Sequence, residues 1–488
     1  MDRTRPRTHR PFRLLAGVAA CALGMAIGAT GAQAATVPAG MVGMNDWGTP
    51  SDQAIQTTAR AGIRQWRAPL FWYMVEGQPG RRDWSDYDRL ATTAARQGAS
   101  LLLVVAGCPP WACDQISGPP TDPGALDAQH RFVRDAVQRY GHDGSFWHDH
   151  PELPYTPVTG WQVWNEVNSR EFWKPGPNAA DYARFLRDES AVIRGADPHA
   201  TVVLSGLTNY GQVPLVDFLR QLYAQPGFRD SFDVAAVHAY AGDDRAVGRL
   251  LDASHEVMAD AGDGARPTWI TEMGWGTSTP TFAAPTTPGR QAELLRSTYD
   301  MLIGCRARWN LGRAYWFAIR DIDPPPGEAD YAGFHTGLFD TAGDPKPGWS
   351  AMEEYPEGGQ LTGGRGASCP LEAARDRVAP NTGMVAPRIP TPGRRAKVRL
   401  LSSERRTRFQ CRLTRAGHRK GRWHPCSRRH RTRRLRRGRY RLEVRSIDAH
   451  GNVDRSPAVA RIVLGHGARP ALRIRVLRPR RALAARLR

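Results

Sequence analysis

The chain has 488 residues, 41% of them hydrophobic, with 15 Trp and with 49 Gly that follow no three-residue period. This excludes wholesale disorder and a collagen-like fibre, and the length suits two or three folded domains. The formal charge of +21 is unevenly held: residues 391–488 carry 32 Arg/Lys against 4 Asp/Glu, net +28, whereas residues 35–390 carry 31 basic and 42 acidic side chains, net −11, so a uniformly basic nucleic-acid binder is excluded as well.

Residues 1–34 come first. Five Arg within the first 13 positions precede an apolar run over residues 14–27, and Ala32-Gln33-Ala34 offers the small-x-small pattern accepted before a cleavage point at Ala35. The segment therefore reads as a signal peptide, which predicts a secreted protein, extracellular or held at the cell surface; an uncleaved anchor is the competing reading. No later stretch approaches 18 consecutive apolar residues, so no transmembrane span is expected. Six cysteines remain beyond the signal, at positions 108, 113, 305, 369, 411 and 426, an even number suited to an oxidising compartment. Proximity favours Cys108 with Cys113 and Cys411 with Cys426, leaving Cys305 and Cys369, although six cysteines allow 15 connectivities.

Over residues 35–357, short apolar runs alternate with helical patterns, the signature of strands joined by crossover helices. Candidate strands end near Met44, Arg67, Ala106, Asn165, Ser205, Tyr240, Glu272 and Ala318, and eight strands suffice to close a parallel (β/α)8 TIM barrel. In the helix after the second strand, Ser85 is the expected cap, Tyr87, Leu90, Ala91, Ala94 and Ala95 share a face, and Gly98 ends the pattern. Leu295, Tyr299 and Leu302 form a similar stripe further on. The loop GCPPWAC (107–113) follows the third strand and so belongs to the end where barrel sites are built. Residues 141–157, with Phe146, Trp147, His148, Asp149 and His150, read as an insertion before the fourth strand and as a wall of the cleft. Residues 358–395 have linker composition, 396–464 show the short alternating runs of a small all-β sandwich, and 465–488 form an Arg-rich tail expected to be flexible.

The strands WQVWNEVN (161–168) and PTWITEMGW (267–275) resemble the fourth and seventh strands of the clan A glycoside hydrolases, near families 39 and 5. GIRQWRAPLFWYMVEG (62–77), VHAY (237–240) and AYWF (314–317) look like the clan's second, sixth and eighth strands in the expected order, so the resemblance covers roughly residues 40–355. It implies Glu166 as acid/base and Glu272 as nucleophile, Asn165 on the sugar 2-hydroxyl, Arg67 and Tyr240 holding the nucleophile ionised, and Trp316 as the platform under the sugar, with His238 also at the site. Of the other tryptophans near strand ends, Trp47, Trp72, Trp111, Trp173 and Trp275, packing is the commoner fate. The residue types suit the chemistry independently: cleaving an acetal needs a proton on the departing oxygen and a group to stabilise an oxocarbenium-like centre, which two carboxyls in different protonation states supply.

The expectation is thus a secreted retaining glycoside hydrolase acting on β-linked poly- or oligosaccharide, needing no cofactor and no metal. The rival is a catalytically silent carbohydrate-binding or wall-anchoring protein. FQCRL, HPC and RYRLEVRSIDAHGNVD resemble bacterial immunoglobulin-like modules. The Arg excess of that module suits an anionic cell-envelope polymer. It is equally a matter of composition, since 64 of the 68 basic residues are Arg. No aromatic ladder interleaves the arginines, so a dedicated nucleic-acid partner is not expected.

Overall fold

The computed structural model describes residues 35–277, 286–373, 379–387, 391–392, 394–404, 407–448, 451–465 and 471–477. The expected signal peptide and the distal part of the expected tail lie outside them. No helix among the described residues is long and apolar enough to cross a membrane.

The first domain is a parallel barrel with strands β1 Val42–Asn45, β2 Gln65–Phe71, β3 Ser100–Ala106, β4 Gly160–Val163, β5 in two pieces (Thr201–Val203 and Leu207–Thr208), β6 Ala235–His238, β7 Thr268–Met273 and β8 Leu311–Trp316. Each pairs in parallel with its sequence neighbour and β8 pairs with β1. The break in β5 is spanned by the bridges Val203 to Val234 and Asn165 to Gly206, which carry the sheet around to β6. The strands are buried along nearly their whole length, β3 in six of its seven residues, as expected where helices cover the outside of the sheet.

The helices are fixed by their first turns. Ser51, Asp122, Asn178, Asp243 and Thr287 each accept a backbone N–H at the start of α1 Asp52–Arg60, α3 Pro123–Tyr140, α4 Ala179–Ala196, α6 Asp244–Asp260 and α7 Pro288–Cys305, contacts worth about 1 kcal/mol apiece. α2, Ser85–Arg96, differs from expectation at its cap: Ser85 is its first residue, and the cap Trp84 makes no side-chain bond. Asp83 Oδ1 instead accepts from Ser85 N at 3.0 Å. The apolar face of α2 is the expected one, and Leu295, Tyr299 and Leu302 of α7 are buried as well. α5 spans Leu215–Tyr223.

The barrel domain extends past residue 357. Gln360–Leu361 pairs with Ala35–Thr36, and Cys305 is bonded to Cys369. Cys108–Cys113 and Cys411–Cys426 complete the expected disulfides. The second domain also outgrows its expected bounds. Its two antiparallel sheets are β9 Thr382–Val385, β10 Lys397–Ser402 and β13 Arg429–Arg431, and a larger one containing β11 Arg408–Arg415, β12 His424–Cys426, β14 Gly438–Ile447, β15 Ala458–Leu464 and β16 Ala471–Val476. β9 falls in the expected linker and β16 in the expected tail. Leu472 is buried while Arg473 and Arg475 are exposed, so a short alternation inside an Arg-rich stretch is enough to add a strand. Val398, Leu400, Phe409, Leu442, Val444, Ala460 and Ile462 form the core between the sheets.

Candidate active site

The carboxyl ends of the barrel strands bring together the residues that the sequence singles out. Arg67, at the middle of β2, is buried and uses its guanidinium four ways: Nη1 donates to Glu272 Oε1 at 2.7 Å and to Asn45 Oδ1 at 3.0 Å, Nε to Gln162 Oε1 at 2.7 Å, and Nη2 to Asn165 Oδ1 at 2.8 Å. Tyr240 OH donates to Glu272 Oε2 at 2.8 Å. Both oxygens of Glu272 are therefore held, one by a cation and one by a phenol. Burial, with the Glu272 and Glu166 charges behind it, keeps the Tyr240 hydroxyl well above its ordinary value, so it remains a donor.

Glu166 has a different environment. Burial pushes its carboxyl up to about 7, against the Arg67 charge and a hydrogen bond from the Thr208 hydroxyl. Its backbone is in the left-handed region, with φ 42°, as is Trp164 with φ 66°, so Asn165 is flanked by two strained non-glycine residues. The strain is held from both sides. Trp164 is packed against Trp173 and Phe185 and donates from its indole to Phe172 O at 2.6 Å, while Glu166 N donates to Gly206 O at 3.2 Å.

His238 joins the carboxylates. Its Nδ1 lies 2.6 Å from Glu166 Oε1 and 3.4 Å from Glu272 Oε2, and one donor atom from each of the three residues lies within 4.8 Å of the others. Burial drives the imidazole down to about 3, so it is neutral. Its Nε2 is buried without a partner against Gly206, where a Cβ would sit 2.0 Å away. A proton on Nδ1 therefore leaves only an acceptor unpaired, and Nδ1–H donates to Glu166 Oε1. The three side chains have a metal-like spacing, but the Arg67 guanidinium already occupies the cationic place beside Glu272.

Three expectations need correction or extension. Trp316 is fully buried, its indole donating to Thr336 O at 3.0 Å and its ring 5.8 Å from that of Trp275, so it offers no open face. Phe317, the next residue, is half-exposed and lies 4.8 Å from Trp47. Trp47 in turn lies 6.4 Å from Tyr331, which is 41% exposed. Tyr331 is pushed up to about 12 by burial, with the Glu272, Glu166 and Glu328 charges adding to the shift. Residues 141–157 do not wall the cleft: they join α3 to β4, at the end of the barrel where strands begin. His148, Asp149 and His150 belong to no metal-like cluster among the described residues. Asn45, Gln162 and Thr271 extend the expected site: Asn45 Nδ2 donates to Thr271 O at 3.0 Å and Gln162 Nε2 to Leu204 O at 2.9 Å, so the acceptors facing Arg67 are themselves fixed. The signal that marks them is a polar residue inside an apolar strand, as in Trp-Gln-Val-Trp.

The loop 107–113 does lie at the site end, where Trp111 Nε1 donates to Glu76 O at 2.8 Å and the ring meets Trp72 edge-on. Trp72, Trp173 and Trp275 are buried, and Trp47 and Trp111 are half-buried.

No family model matches this chain, and no curated protein matches it. Among solved structures it is similar to a family 39 glycoside hydrolase from the gut symbiont Bacteroides cellulosilyticus, at 17% identity over 80% of this chain and 78% of that one, TM-score 0.49. It is also similar to a GH5_18 protein from Streptomyces cattleya solved in complex with Manβ1-4GlcNAc, at 20% identity over 65% and 80%, TM-score 0.48. A third is an exo-β-1,4-mannosidase from an Opitutaceae bacterium, at 18% identity over 65% and 59%, TM-score 0.46.

Proposed function

We propose that the chain is a secreted, retaining glycoside hydrolase cleaving β-linked sugars, with Glu272 as nucleophile and Glu166 as acid/base. The observation that carries this reading is the pair of carboxyls, Glu166 just past the end of β4 and Glu272 on β7, with oxygens within 4.8 Å of one another and in different electrostatic settings. A retaining pair has its carboxyls about 5–5.5 Å apart, because the nucleophile attacks carbon directly, whereas an inverting pair leaves about 6.5–9.5 Å for a water.

Glu272, ionised beside Arg67 and Tyr240, attacks the anomeric carbon. As the glycosidic bond breaks, Glu166 gives its proton to the departing oxygen. With His238 Nδ1–H donating to Oε1, that proton resides on Glu166 Oε2. In the second half, Glu166, now ionised, takes a proton from the incoming water, which attacks the anomeric carbon and expels Glu272 as a carboxylate. Asn165, with Oδ1 committed to Arg67, has its amide N–H groups available for the sugar 2-hydroxyl. Phe317, rather than Trp316, is the apolar surface for the sugar ring. Three disulfides support an oxidising, extracellular location.

The test is hydrolysis of a panel of aryl β-glycosides followed by NMR of the first-formed anomer. The reading expects β product. First-formed α product contradicts retention, and sugar binding without turnover of any glycoside or glycan favours a silent binding protein.

A further inference from the structure

The small sheet of the second domain presents four cations on one side. In the antiparallel pair β10–β13, Lys397 is directly opposite Arg431 and Arg399 directly opposite Arg429, and all four are exposed. None makes a side-chain hydrogen bond or ion pair to a described residue. Like charges facing one another across a ladder are destabilising, so each pair opposes the fold that holds it. The four line a shallow groove of ≈ 520 Å³ whose remaining wall includes Val385 and Pro387, with no carboxylate among its lining residues.

The larger sheet is also rich in arginine, but there the charges are partly answered. Arg412 and Arg441 pair with Glu443, Arg445 binds Gln410 Oε1, and Arg412 and Arg445 both lie over the Trp423 ring. The larger sheet still leaves Arg461 facing Arg475, but only β10–β13 among the described ladders sets two like-charged pairs side by side, Lys397 with Arg431 and Arg399 with Arg429. Strand geometry sets these cations at the corners of a rectangle, about 5 Å across the ladder and about 6.7 Å along it, suited to repeating anionic groups on an extended polymer. The half-buried His430 contributes the only aromatic ring among the lining residues, and no Trp, Tyr or Phe is there to stack successive bases, which disfavours nucleic acid.

We propose that Lys397, Arg399, Arg429 and Arg431 form a docking groove for a linear polysaccharide bearing carboxylates, which tethers the catalytic barrel to an acidic glycan matrix. The choice of a glycan over other polyanions rests on the glycosidase reading of the barrel, since a tether raises the effective concentration of nearby sugar chains.

The test uses the full chain and reads binding rather than hydrolysis, so its outcome stands apart from that of the glycosidase reading. Affinity for polygalacturonate, its carboxyl-reduced form, single-stranded DNA and poly(glycerol phosphate) is measured for wild type, Arg399→Gln/Arg429→Gln, Lys397→Gln/Arg431→Gln and Arg461→Gln/Arg475→Gln. The last variant removes an equal charge from the other sheet, where Arg461 faces Arg475. Polygalacturonate should bind in a salt-sensitive way and the reduced polymer should not, with either groove variant weakening binding about 10-fold or more and the other-sheet variant less than about 3-fold. Thermal melts should show no loss of stability in the groove variants, because a repulsive pair is removed. Equal losses from both sheets would show a diffuse charge effect and overturn the proposal, as would absent binding or tighter binding of DNA or poly(glycerol phosphate).

Discussion

Two of the places in the barrel domain where a buried carboxyl lies beside a histidine behave differently. At the strand ends, Glu166 and Glu272 share His238, and Arg67, Tyr240, Asn45, Gln162 and Asn165 complete a connected network. Between α3 and α4, Glu189 is 1% exposed and lies 3.7 Å from His130, beyond hydrogen-bond distance, and Glu189 Oε1, His130 Nε2, Gln129 Oε1 and Ser190 Oγ all lack partners. Burial, aided by the Asp188 charge, pushes Glu189 up to about 8, further than Glu166. A raised proton affinity alone would therefore select the wrong carboxyl. What separates the sites is pairing: at the strand ends a cation and a phenol hold one of two neighbouring carboxyls while burial raises the other, whereas at the helix interface the acid has no hydrogen-bonded cation beside it.

Arg67→Met should widen this difference most. It strips four acceptors of their donor, so kcat/KM should fall about 10³-fold and the melting temperature should drop, as expected when one member of a buried charged network is removed. Glu189→Gln should leave kcat/KM within about 2-fold. A comparable loss of activity in Glu189→Gln would break the comparison.

The pH dependence separates the two carboxyls next. The proposed mechanism requires protonated Glu166, so kcat/KM should decline tenfold per pH unit above about 7, and Glu189→Gln should leave that limb in place. Stability carries both carboxyls, and Glu189 over the higher range. Glu189 has a folded pKa raised above its unfolded value, so the native state binds the extra proton, and stability falls as pH rises from about 4.5 through about 8. Glu189→Gln should remove its share of that decline, most clearly above pH 7 where the Glu166 share is nearly complete, and gain on the order of a few kcal/mol over wild type at pH 9, measured by urea unfolding. An activity limb that shifts in Glu189→Gln, or a stability profile indifferent to the substitution, contradicts the assignment.

The smallest expected effect distinguishes two adjacent aromatics. Phe317→Ala should raise KM about 5- to 10-fold with little loss of stability, while Trp316→Ala should lower stability by about 3–5 kcal/mol. Steady-state kinetics beside thermal melts would show whether those assignments are reversed.

Much of this site was legible because carboxylates ending apolar strands are hard to explain otherwise. Glu166 and Glu272 each terminate such a run, Arg67 sits inside one, and the order of strands brings the three to one end. Trp316 was misplaced because a tryptophan near a strand end reads equally as a sugar platform or as core: β8 keeps its register against β1 through Trp316, the extra residue at this level lies on β7 between Ile270 and Met273, and Trp316 is fully buried while Phe317 is not. The segment 141–157 misled for a different reason. Its aromatics and histidines suggest a site, but a connection from helix to strand lies at the opposite end of the barrel whatever it contains. Asn45 and Gln162 were missed since each is an ordinary polar residue until Arg67 is seen to need an acceptor there.

The division of labour between Glu166 and Glu272 is tested most directly by azide rescue of their alanine variants on an aryl β-glycoside. Glu272→Ala should lose activity and, with azide, yield the α-glycosyl azide, because the anion attacks in place of the missing nucleophile. Glu166→Ala should yield the β-glycosyl azide, formed on the glycosyl-enzyme when no base is left to activate water. The opposite configurations would exchange the two roles, and full activity in either variant without azide would contradict the proposed catalytic pair.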